Sequence, residues 1–560
     1  MNSLASWILA SLRAQGTGHA FMVPGYLLGP MLEVLAEAPD CRAIVCAHEL
    51  GAAFAADGYA RVSGTPGWCL AISAPGASNL LTGAIAARLD HQRVLYLVGD
   101  VPRNNAGRSA FQDGGEPGSR DLELFGVAVP IARRATSVLE AQDALQAALQ
   151  GSRGGPPGPA FLSLPRDLQA QTCAAAPLTR VVPDPPAGLD DANLEGLVQR
   201  LAAGERLALW VGETTTGADF ARDLLAFAER YTLPVATTMP AKGIFPEHHP
   251  LSLGCLGYGG TPRARAACTD PRTDSLLALG VDLNERNTLQ WDQRLLVPGR
   301  ICRVLPWPGA QAQPGVADFT ACTSAVLRAL AQAEAPLRRG IDARRRWLEE
   351  LGAQPLQADL APPPAALGLH PATLVATLRQ ALPRGSKLFV DAGLCRRAVG
   401  QWWTCQEPGE LYTSPITAPM GWGLAASIGG QLAAPEARVV ALAGDGSMLM
   451  HGLEIVTAVR YQVPVIWVIN NNAALGTVWQ RAPTPEAARL TLPPRLDWAA
   501  QAELCGAKGY RARTSEELAS ALFAALRARQ PALIDVRGTL DFAPDDPLFG
   551  GTTHGQKAPG

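Results

Sequence analysis

The chain has 560 residues with a formal net charge of −2; 48% of the residues are hydrophobic and 18% are charged. That length exceeds one hydrophobic core, so about three domains are expected, and the nearly neutral charge excludes nucleic acid as an expected partner. Eleven cysteines without any CxxC pair indicate a reduced, cytoplasmic protein rather than a disulfide framework or a zinc site.

The N-terminal stretch MNSLASWILASLRAQG predicts an amphipathic helix rather than a signal peptide. Leu4, Trp7, Ile8 and Leu12 recur at helical spacing, and no basic region precedes the apolar run. No uninterrupted apolar run in the chain reaches the ~18 residues that a helix needs to span a bilayer, so no membrane association is expected.

Two proline-rich stretches divide the chain. CAAAPLTRVVPDPPAG covers residues 173–188, and APPPAALG covers residues 361–368. Because proline interrupts helices and inner strands, such runs usually connect domains. The predicted units are therefore residues 1–175, 186–350 and 366–545, followed by a C-terminal tail at 546–560.

Each unit alternates short apolar, β-prone runs with helical patterns. The runs are RVLYLVGD and PAFLSLP in the first unit, RLALWVGE, LPVATT and DSLLALG in the second, and KLFVDAG, RVVALAGDG and VPVIWVINN in the third. Continuous apolar strands separated by helices indicate parallel sheets that are covered on both faces. The predicted fold class is α/β, with three doubly wound parallel-sheet domains.

The stretch GDGSMLMHGLEIVTAVRYQVPVIWVINNN places polar residues at both ends of one predicted strand–helix–strand unit. Asp445 follows one buried strand and Asn472 ends the next, so both should emerge at the carboxyl edge of the sheet, where ligands bind in such folds. Gly444 and Gly446 allow a tight turn and close approach to a ligand. A carboxylate, an amide oxygen and a backbone carbonyl form a hard oxygen set that suits Mg²⁺ and phosphate.

This stretch resembles the thiamine diphosphate motif, which opens with GDG and closes with NN at about this separation. The resemblance implies that Asp445 and Asn472 bind Mg²⁺ through their side chains and that Ala474 adds its backbone carbonyl. It also implies that the cofactor contacts Gly444, Gly446, Ser447 and Leu475.

A second motif lies in the first unit. AIVCAHELGAAFAADGYARVSG resembles the HE-x-x-A-x-x-x-A-x-GYAR signature of the same enzymes, and Glu49 falls on their catalytic glutamate. That acid protonates the pyrimidine ring of the cofactor and favours the imino tautomer, which takes the proton from the thiazolium C2; an apolar setting favours the protonated acid. SAPGASNLLTG resembles the glycine turn under the cofactor, which implies that Gly76 binds it.

Further stretches resemble acetolactate synthase and its relatives. AFQD places Phe111 and Gln112 where such enzymes keep a Phe-Gln pair beside the reacting carbon, which makes Gln112 a second catalytic candidate. TAPMGWGLAASIGG resembles the segment beneath the bent cofactor, where Met420 fits as the wedge and Ala418 offers its carbonyl to the aminopyrimidine. DAGLCRR resembles a loop that faces the diphosphate, where Gly393 and neighbouring backbone N–H groups would bind phosphate oxygens.

The substrate pocket shows departures from this family. The turn after Gly25 reads YLLGP, so Tyr26, Leu27 and Leu28 are expected at the pocket mouth with Phe111, and no histidine is among them.

Two stretches of the central unit bear on substrate and flavin. LALGVDLNERN resembles a stretch in which GARFDDR is usual; Asp282 replaces the first arginine and Arg286 matches the second, which weakens the case for a pyruvate-carboxylate site. SLGCLGYGGTPRARAA resembles a segment that lines a flavin or nucleotide site, which leaves FAD open as an additional cofactor.

The resemblance implies a homodimer or homotetramer. The pyrimidine-binding unit of one subunit, the first unit, would face the diphosphate-binding unit of another, the third unit. It implies decarboxylation of a 2-oxo acid and ligation of the acyl unit to a second carbonyl compound. Two alternatives stay open: a decarboxylase or C–C lyase that releases an aldehyde, and a catalytically silent cofactor-binding subunit. The donor and the acceptor are not named by the sequence.

Overall fold

The computed structural model describes residues 3–151, 155–181, 187–215, 217–308, 312–332, 337–357 and 368–540. In this part of the chain the predicted fold class is confirmed, because the strands form three parallel sheets with helices packed on them. The predicted tail at 546–560 lies outside the described residues, and so does most of the second linker. The exact domain boundaries stay a prediction.

The first unit contains one of these sheets. Its strands are β1 His19–Met22, β2 Arg42–Val45, β3 Gly67–Ile72, β4 Val94–Asp100, β5 Ile131–Arg134 and β6 Ala160–Pro165. Its helices are α1 Leu4–Arg13, α2 Gly29–Ala36, α3 Glu49–Ser63, α4 Pro75–Leu89, α5 Asp121–Ala128, α6 Val138–Gln150 and α7 Arg166–Gln169. The strands lie parallel in the order β2-β1-β3-β4-β6-β5. The predicted N-terminal helix is confirmed as α1, whose apolar face is buried in the core of this unit.

The second unit has a different strand order. Its strands are β7 Leu207–Val211, β8 Val235–Thr237, β9 Ser252–Cys255, β10 Ser275–Leu279, β11 Ile301–Leu305 and β12 Ala317–Thr320. Its helices are α8 Asp191–Ala202, α9 Ala218–Tyr231, α10 Pro262–Thr269, α11 Thr323–Gln332 and α12 Ile341–Gly352. The order β12-β11-β10-β7-β8-β9 is that of doubly wound sheets that bind dinucleotides, with the direction of winding reversed between β7 and β10.

The third unit repeats the strand order of the first. Its strands are β13 Lys387–Val390, β14 Leu411–Thr413, β15 Val439–Gly444, β16 Ile466–Asn471, β17 Lys508–Ala512 and β18 Ala532–Arg537, in the order β14-β13-β15-β16-β18-β17. Its helices are α13 Pro371–Ala381, α14 Leu394–Trp402, α15 Trp422–Ala433, α16 Asp445–His451, α17 Ile455–Tyr461, α18 Gly476–Trp479, α19 Pro485–Arg489, α20 Trp498–Leu504 and α21 Ser515–Ala528. The helical run predicted between GDG and NNN is split into α16 and α17 by a 3₁₀ turn at Gly452–Glu454.

Helix α3 of the first unit packs along α15 of the third unit, and glycines let the two backbones meet. A Cβ atom built on Gly58 would overlap the carbonyl of Ala426, and one built on Gly429 would overlap the carbonyl of Ala55. The helix that begins at Glu49 is therefore held directly against the third unit of the same chain.

A buried ion network lies at the same contact. Arg61, in the last turn of α3, donates hydrogen bonds to the carboxylates of Asp57 and Asp90, and its guanidinium lies 4.9 Å from the ring centre of Trp422. The Trp422 indole in turn donates to Asp57 at 2.6 Å. Each charge in this interface is thus paired, as burial requires.

Among the described residues, no helix combines the length and the apolar character that crossing a bilayer would require.

Candidate active site

The third sheet opens a cleft at its topological switch point. Because β14 pairs on one side of β13 and β15 on the other, the loops after β13 and β15 diverge there, and ligands of open α/β sheets bind at such a point. The cleft has a volume of about 330 Å³. A larger surface depression of about 540 Å³ surrounds the Arg13–Asp40 ion pair on the first unit and contains none of the predicted site residues.

Ten residues predicted for the site belong to the third unit, and all ten line this cleft. They are Gly393, Ala418, Met420, Gly444, Asp445, Gly446, Ser447, Asn472, Ala474 and Leu475. They come from the ends of β13, β15 and β16 and from the loop before α15, so the fold collects segments that are far apart in the sequence.

Asp445 is the first residue of α16 and is 2% exposed. Its Oδ2 accepts hydrogen bonds from the backbone N–H groups of Asn472 at 3.0 Å and Ala473 at 2.8 Å, and its Oδ1 accepts one from the Trp498 indole at 2.9 Å. Burial raises the pKa of Asp445, and these donors oppose that shift. The two ends of the predicted strand–helix–strand unit therefore meet at one edge of the sheet.

The oxygen atoms beside Asp445 fit a magnesium ion. Asn472 accepts a hydrogen bond on Oδ1 from the Ala474 N–H at 3.1 Å, and amide oxygens retain a second lone pair for a further partner. No group of three or more His, Cys, Asp or Glu side chains that could hold a metal converges within the described residues. One carboxylate with neutral oxygens suits Mg²⁺, which takes its remaining ligands from phosphate and water.

The glycines of the cleft leave room for a ligand close to the backbone. A Cβ atom on Gly446 would lie 2.7 Å from Leu475 Cδ2 and 3.0 Å from Met420 Sδ, so a larger residue there would require these side chains to move. Gly393 has a φ of 142°, and it directly precedes the nine-residue helix α14. The N-terminal N–H groups of such a helix are suited to phosphate oxygens.

The loop that carries Ala418 and Met420 is fixed by a buried carboxylate. Asp391, which is 2% exposed, accepts hydrogen bonds from the N–H groups of Gly421 at 2.8 Å and Gly423 at 3.2 Å. Burial raises the pKa of Asp391 to about 7 against the opposing effect of these donors. Ala418 has a positive φ of 49°, a conformation that this anchored loop imposes.

Glu49 lies elsewhere on the chain. It is the first residue of α3 and does not line the cleft that contains Asp445. Its Oε2 accepts a hydrogen bond from the Asn79 amide at 2.9 Å, and its Oε1 lies 3.5 Å from the position of a Cβ atom on Gly76. Gly76 lies in the first turn of α4, directly after the turn that follows β3, and its contact with the cofactor stays a prediction.

The other first-unit candidates are at the surface, with one exception. Phe111 is 86% exposed and Tyr26 is 74% exposed, while Gln112 is half-buried and its carbonyl accepts a hydrogen bond from the Ser73 hydroxyl at 2.6 Å. None of the three lines the third-unit cleft.

The exception is the pair Leu27 and Leu28. Their side chains were expected at the pocket mouth, but the structure buries them. They follow Tyr26 in a 3₁₀ turn and are only 4% and 1% exposed, and Leu28 packs in the core of the first unit. The tight pitch of three residues per turn leaves Tyr26 outside and turns the next two side chains inward.

Three family models match the chain. They are described as the N-terminal TPP binding domain, the central domain and the C-terminal TPP binding domain of thiamine pyrophosphate enzymes, and they match residues 2–116, 194–305 and 391–536. Thiamine pyrophosphate is thiamine diphosphate by its other name. The chain is 30% identical to the acetolactate synthase large subunit of Parasynechococcus marenigrum over 95% of this chain and 87% of that protein. The chain belongs to the thiamine diphosphate-dependent enzymes.

Other relatives of this thiamine diphosphate enzyme have similar descriptions. The isozyme 1 large subunit of acetolactate synthase from Escherichia coli is 28% identical over 85% of this chain and 83% of its own. Acetolactate synthase 1 of Nicotiana tabacum is 28% identical over 94% of this chain and 80% of its own. The predicted resemblance to acetolactate synthases is thereby confirmed, and the chain is an acetolactate synthase-like enzyme.

Sequence reasoning missed three side chains of this thiamine diphosphate enzyme. Trp498 donates to Asp445, and Tyr258 and Arg396 line the cleft together with Arg286. The guanidinium of Arg286 lies 4.5 Å from the ring centre of Tyr258, and that of Arg396 lies 5.9 Å from it. Burial lowers the pKa of Arg396 to about 10, as does the positive charge of Arg286. The paired arginines of DAGLCRR were the available signal for Arg396.

Proposed function

We propose that this enzyme binds thiamine diphosphate through Mg²⁺, decarboxylates a 2-oxo acid and joins the remaining acyl unit to a second carbonyl compound. One observation carries the proposal: Asp445, Asn472, Ala474 and Gly446 line a single cleft at the switch point of the third sheet. Oxygen ligands of this kind suit a magnesium ion that is shared with phosphate groups.

The cleft residues divide into groups by what they would hold. Asp445, Asn472 and Ala474 would bind the metal, while Gly446 and the N–H groups at the start of α14 would bind the diphosphate. When bound, thiamine diphosphate supplies a carbon nucleophile that adds to the 2-oxo group and accepts the electron pair left by decarboxylation. Met420, next to Gly446, would support the bent form of the cofactor.

Glu49 would hold the proton at the pyrimidine ring nitrogen. Because Glu49 and Asp445 lie at separate places on one chain, the proposal requires a second copy of the chain, in a homodimer or a homotetramer. Glu49 of one subunit would complete the cleft of its neighbour. The strong exposure of Phe111 and Tyr26 supports this, since large exposed apolar side chains are typical of surfaces that another chain covers.

The cleft also offers groups for the substrate. The side chains of Met420 and Leu475 would give apolar walls, and a setting of low polarity favours the dispersal of charge during decarboxylation. The positive charges of Arg286 and Arg396, both near the Tyr258 ring, would attract the carboxylate of a 2-oxo acid into the cleft.

Flavin is not part of the proposed reaction. The second sheet has the strand order of dinucleotide-binding sheets, but Glu213 follows β7 and Asp282 follows β10 at its switch point. Glu213 accepts hydrogen bonds from Thr238 and Asn287, and burial raises its pKa to about 7. The Asp282 carboxylate would repel the phosphates of FAD at this point, and Glu213 is already engaged by its two donors. The absorption spectrum of the purified protein tests this directly.

The composition of the cleft favours ligation over simple release of an aldehyde. Among the described residues that line it there is neither a histidine nor a glutamate, and burial raises the pKa of Cys395 to about 12. Asp391 is already engaged with backbone N–H groups. The part of the cleft that this chain supplies thus offers few groups to protonate the acyl anion equivalent, which favours its addition to a second carbonyl.

We also place the enzyme in a reducing compartment, the cytoplasm. All eleven cysteines are free, and nine of them are buried. Structural disulfides are typical of oxidising compartments, so a chain with this many unpaired cysteines suits a reducing one.

A substrate screen tests the proposal. The purified protein is given thiamine diphosphate and Mg²⁺ with a panel of 2-oxo acids, each with and without aldehyde and ketone acceptors, and the products are identified by mass spectrometry. We expect a product whose mass is that of the acyl unit plus the acceptor. It should be lost without the cofactor and reduced by about 10²–10⁴-fold in Glu49→Gln. Aldehyde alone would instead support a decarboxylase or lyase, and cofactor binding without turnover would support a silent subunit.

A further inference from the structure

A buried carboxylate of the third unit reaches the backbone of the first. Glu454 ends the 3₁₀ turn between α16 and α17 and is only 2% exposed. Its Oε1 accepts a hydrogen bond from the N–H of His48 at 3.0 Å, and its Oε2 accepts one from the N–H of Ala47 at 3.2 Å. Thr457 donates a third bond to Oε2 at 2.7 Å. The carboxylate is thus shared between two units of the chain.

These two N–H groups belong to the residues that directly precede Glu49. His48 is the N-cap of α3, and its Nδ1 accepts a hydrogen bond from the Leu50 N–H at 3.0 Å. A Cβ atom on Gly51 would overlap the Glu454 carboxylate, so the first turn of α3 lies directly on it. The backbone on both sides of Glu49 is therefore fixed by Glu454.

A second residue of the third unit holds the strand that leads into this turn. The hydroxyl of Tyr461 accepts a hydrogen bond from the N–H of Val45 at 2.8 Å, and its carbonyl accepts one from Arg42 at 3.2 Å. Tyr461 thus anchors β2, and Glu454 anchors the turn after it. Because Glu454 approaches Glu49 more closely than Tyr461 does, it has the greater control over where the Glu49 side chain begins.

We propose that Glu454 is a positioning residue for Glu49: by binding the N–H groups of Ala47 and His48 it sets where Glu49 is presented to the cofactor. The inference rests on the proposed role of Glu49 as the pyrimidine acid. Burial raises the pKa of Glu454, while the bonds from Thr457 and from the two backbone groups oppose that shift. These donors suit a carboxylate better than an amide, since every one of them needs an acceptor.

Glu454 and Asp445 are close in the sequence but would act on different active sites. Asp445 and Glu454 lie nine residues apart on one segment of the chain, α16 and the turn that follows it. Asp445 would build the cleft of its own subunit, whereas Glu454 would act through Glu49 on the cleft of the neighbouring subunit. A defect at Glu454 should therefore appear in the other active site of the pair.

The first test compares single variants for two properties, the affinity for thiamine diphosphate with Mg²⁺ and the rate of hydrogen–deuterium exchange at C2. In Glu454→Gln, the side-chain NH₂ group would face the N–H of Ala47 or His48 without an acceptor between them. The turn should then move, and Glu49 with it. We expect unchanged cofactor affinity and exchange slowed by about 10- to 100-fold, because a misplacement of about 1 Å can cost about 100-fold. Glu454→Asp, which keeps the charge on a shorter side chain, should recover part of the rate. Gly51→Ala should slow exchange as well, and the exposed Glu436→Gln is the control that should not.

Outcomes separate this inference from the proposed function. If Glu49→Gln itself exchanges at the wild-type rate, the proposed role of Glu49 is wrong. If Glu49→Gln is slow but Glu454→Gln and Gly51→Ala exchange like wild type, only the positioning role is refuted. Loss of cofactor affinity in Glu454→Gln with normal exchange in the loaded fraction would also refute it, because Glu454 would then serve its own cleft.

Mixed dimers provide the second test. In a dimer of Glu454→Gln with Asp445→Ala, one site stays intact. The Glu454→Gln subunit supplies its Asp445, and the Asp445→Ala subunit supplies a Glu49 that its own Glu454 positions, so activity should return. A dimer of Glu454→Gln with Glu49→Gln keeps no such site and should stay slow. If the first dimer stays slow and the second is active, Glu454 acts on the metal-binding residues of its own subunit, and the inference fails.

Discussion

At Asp445 one carboxylate has both a structural and a proposed catalytic role. Its two oxygens accept three hydrogen bonds, two from the loop after β16 and one from Trp498 in α20, and Asp445 lines the cleft. The motif predicted that Asp445 and Asn472 would meet, because strand–helix–strand spacing is local. Trp498 was not predictable, since it lies 53 residues beyond Asp445 and no sequence pattern states which helix covers the strand end.

The first prediction at this scale is that Asp445→Ala abolishes Mg²⁺-dependent binding of thiamine diphosphate. Removal of the charged ligand leaves only neutral oxygens for the metal, and we expect the affinity measured by calorimetry to fall at least about 100-fold, more than the 10–100-fold typical when only a supporting partner is lost. The exposed Asp219→Ala, in α9 of the second unit, is the control. Unchanged affinity in a folded Asp445→Ala protein would contradict the assignment.

Residues of the pocket mouth were harder to predict than the metal-binding candidates Asp445 and Asn472. Tyr26, Leu27 and Leu28 are consecutive, and only Tyr26 is exposed. The direction of each side chain depends on the 3₁₀ turn at these residues, and a short turn carries no periodic pattern from which to infer it. The role of the mouth residues therefore stays a prediction that concerns the assembled enzyme.

At the scale of elements, the contact between α3 and α15 was half predictable. The small residues of LGAAFAADGYAR are typical of a helix that allows close approach, and α3 has Gly58 against the backbone of α15. The partner helix was not predictable, because it lies more than three hundred residues away in the chain and small residues do not specify which backbone they meet.

We predict that Gly58→Ala destabilises the enzyme. The added methyl would overlap the Ala426 carbonyl, and forced overpacking of this kind typically costs about 1–3 kcal/mol. For a unit of this size that corresponds to a fall in the thermal midpoint of roughly 2–12 °C. Gly126→Ala in α5 is the matched control, since a Cβ atom there meets nothing and alanine favours a helix. Equal midpoints for the two variants, measured by calorimetry, would contradict a close backbone contact.

At the scale of the whole molecule, the fold class was predictable but the strand orders were not. Apolar runs between helical patterns are enough to indicate parallel sheets. The identical order of the first and third sheets, and the different order of the second, arise from which strand packs beside which. That choice depends on long-range contacts, which the local pattern of VVALAG or LALWV does not contain.

The proposed assembly leads to a prediction about mixed dimers. Neither Glu49→Gln nor Asp445→Ala should be active alone. A dimer with one subunit of each kind should regain about half of the wild-type activity, because both defects then fall in one site and the other site is intact. Mixed dimers can be isolated with two affinity tags and assayed for the product of the substrate screen. If they stay inactive while wild-type dimers isolated in the same way are active, Glu49 and Asp445 do not come from different subunits.

The glycine contact of α3 with α15 limits how this enzyme can be recombined with its relatives. At Gly58 and Gly429 the neighbouring atoms are carbonyl groups of the main chain, so no side chain at the contact can be exchanged to relieve a poor fit. A chimaera that takes α3 from one parent and α15 from another must match two backbone curvatures. Parents that donate both helices together avoid that requirement, so functional chimaeras should inherit the first and third units as a pair.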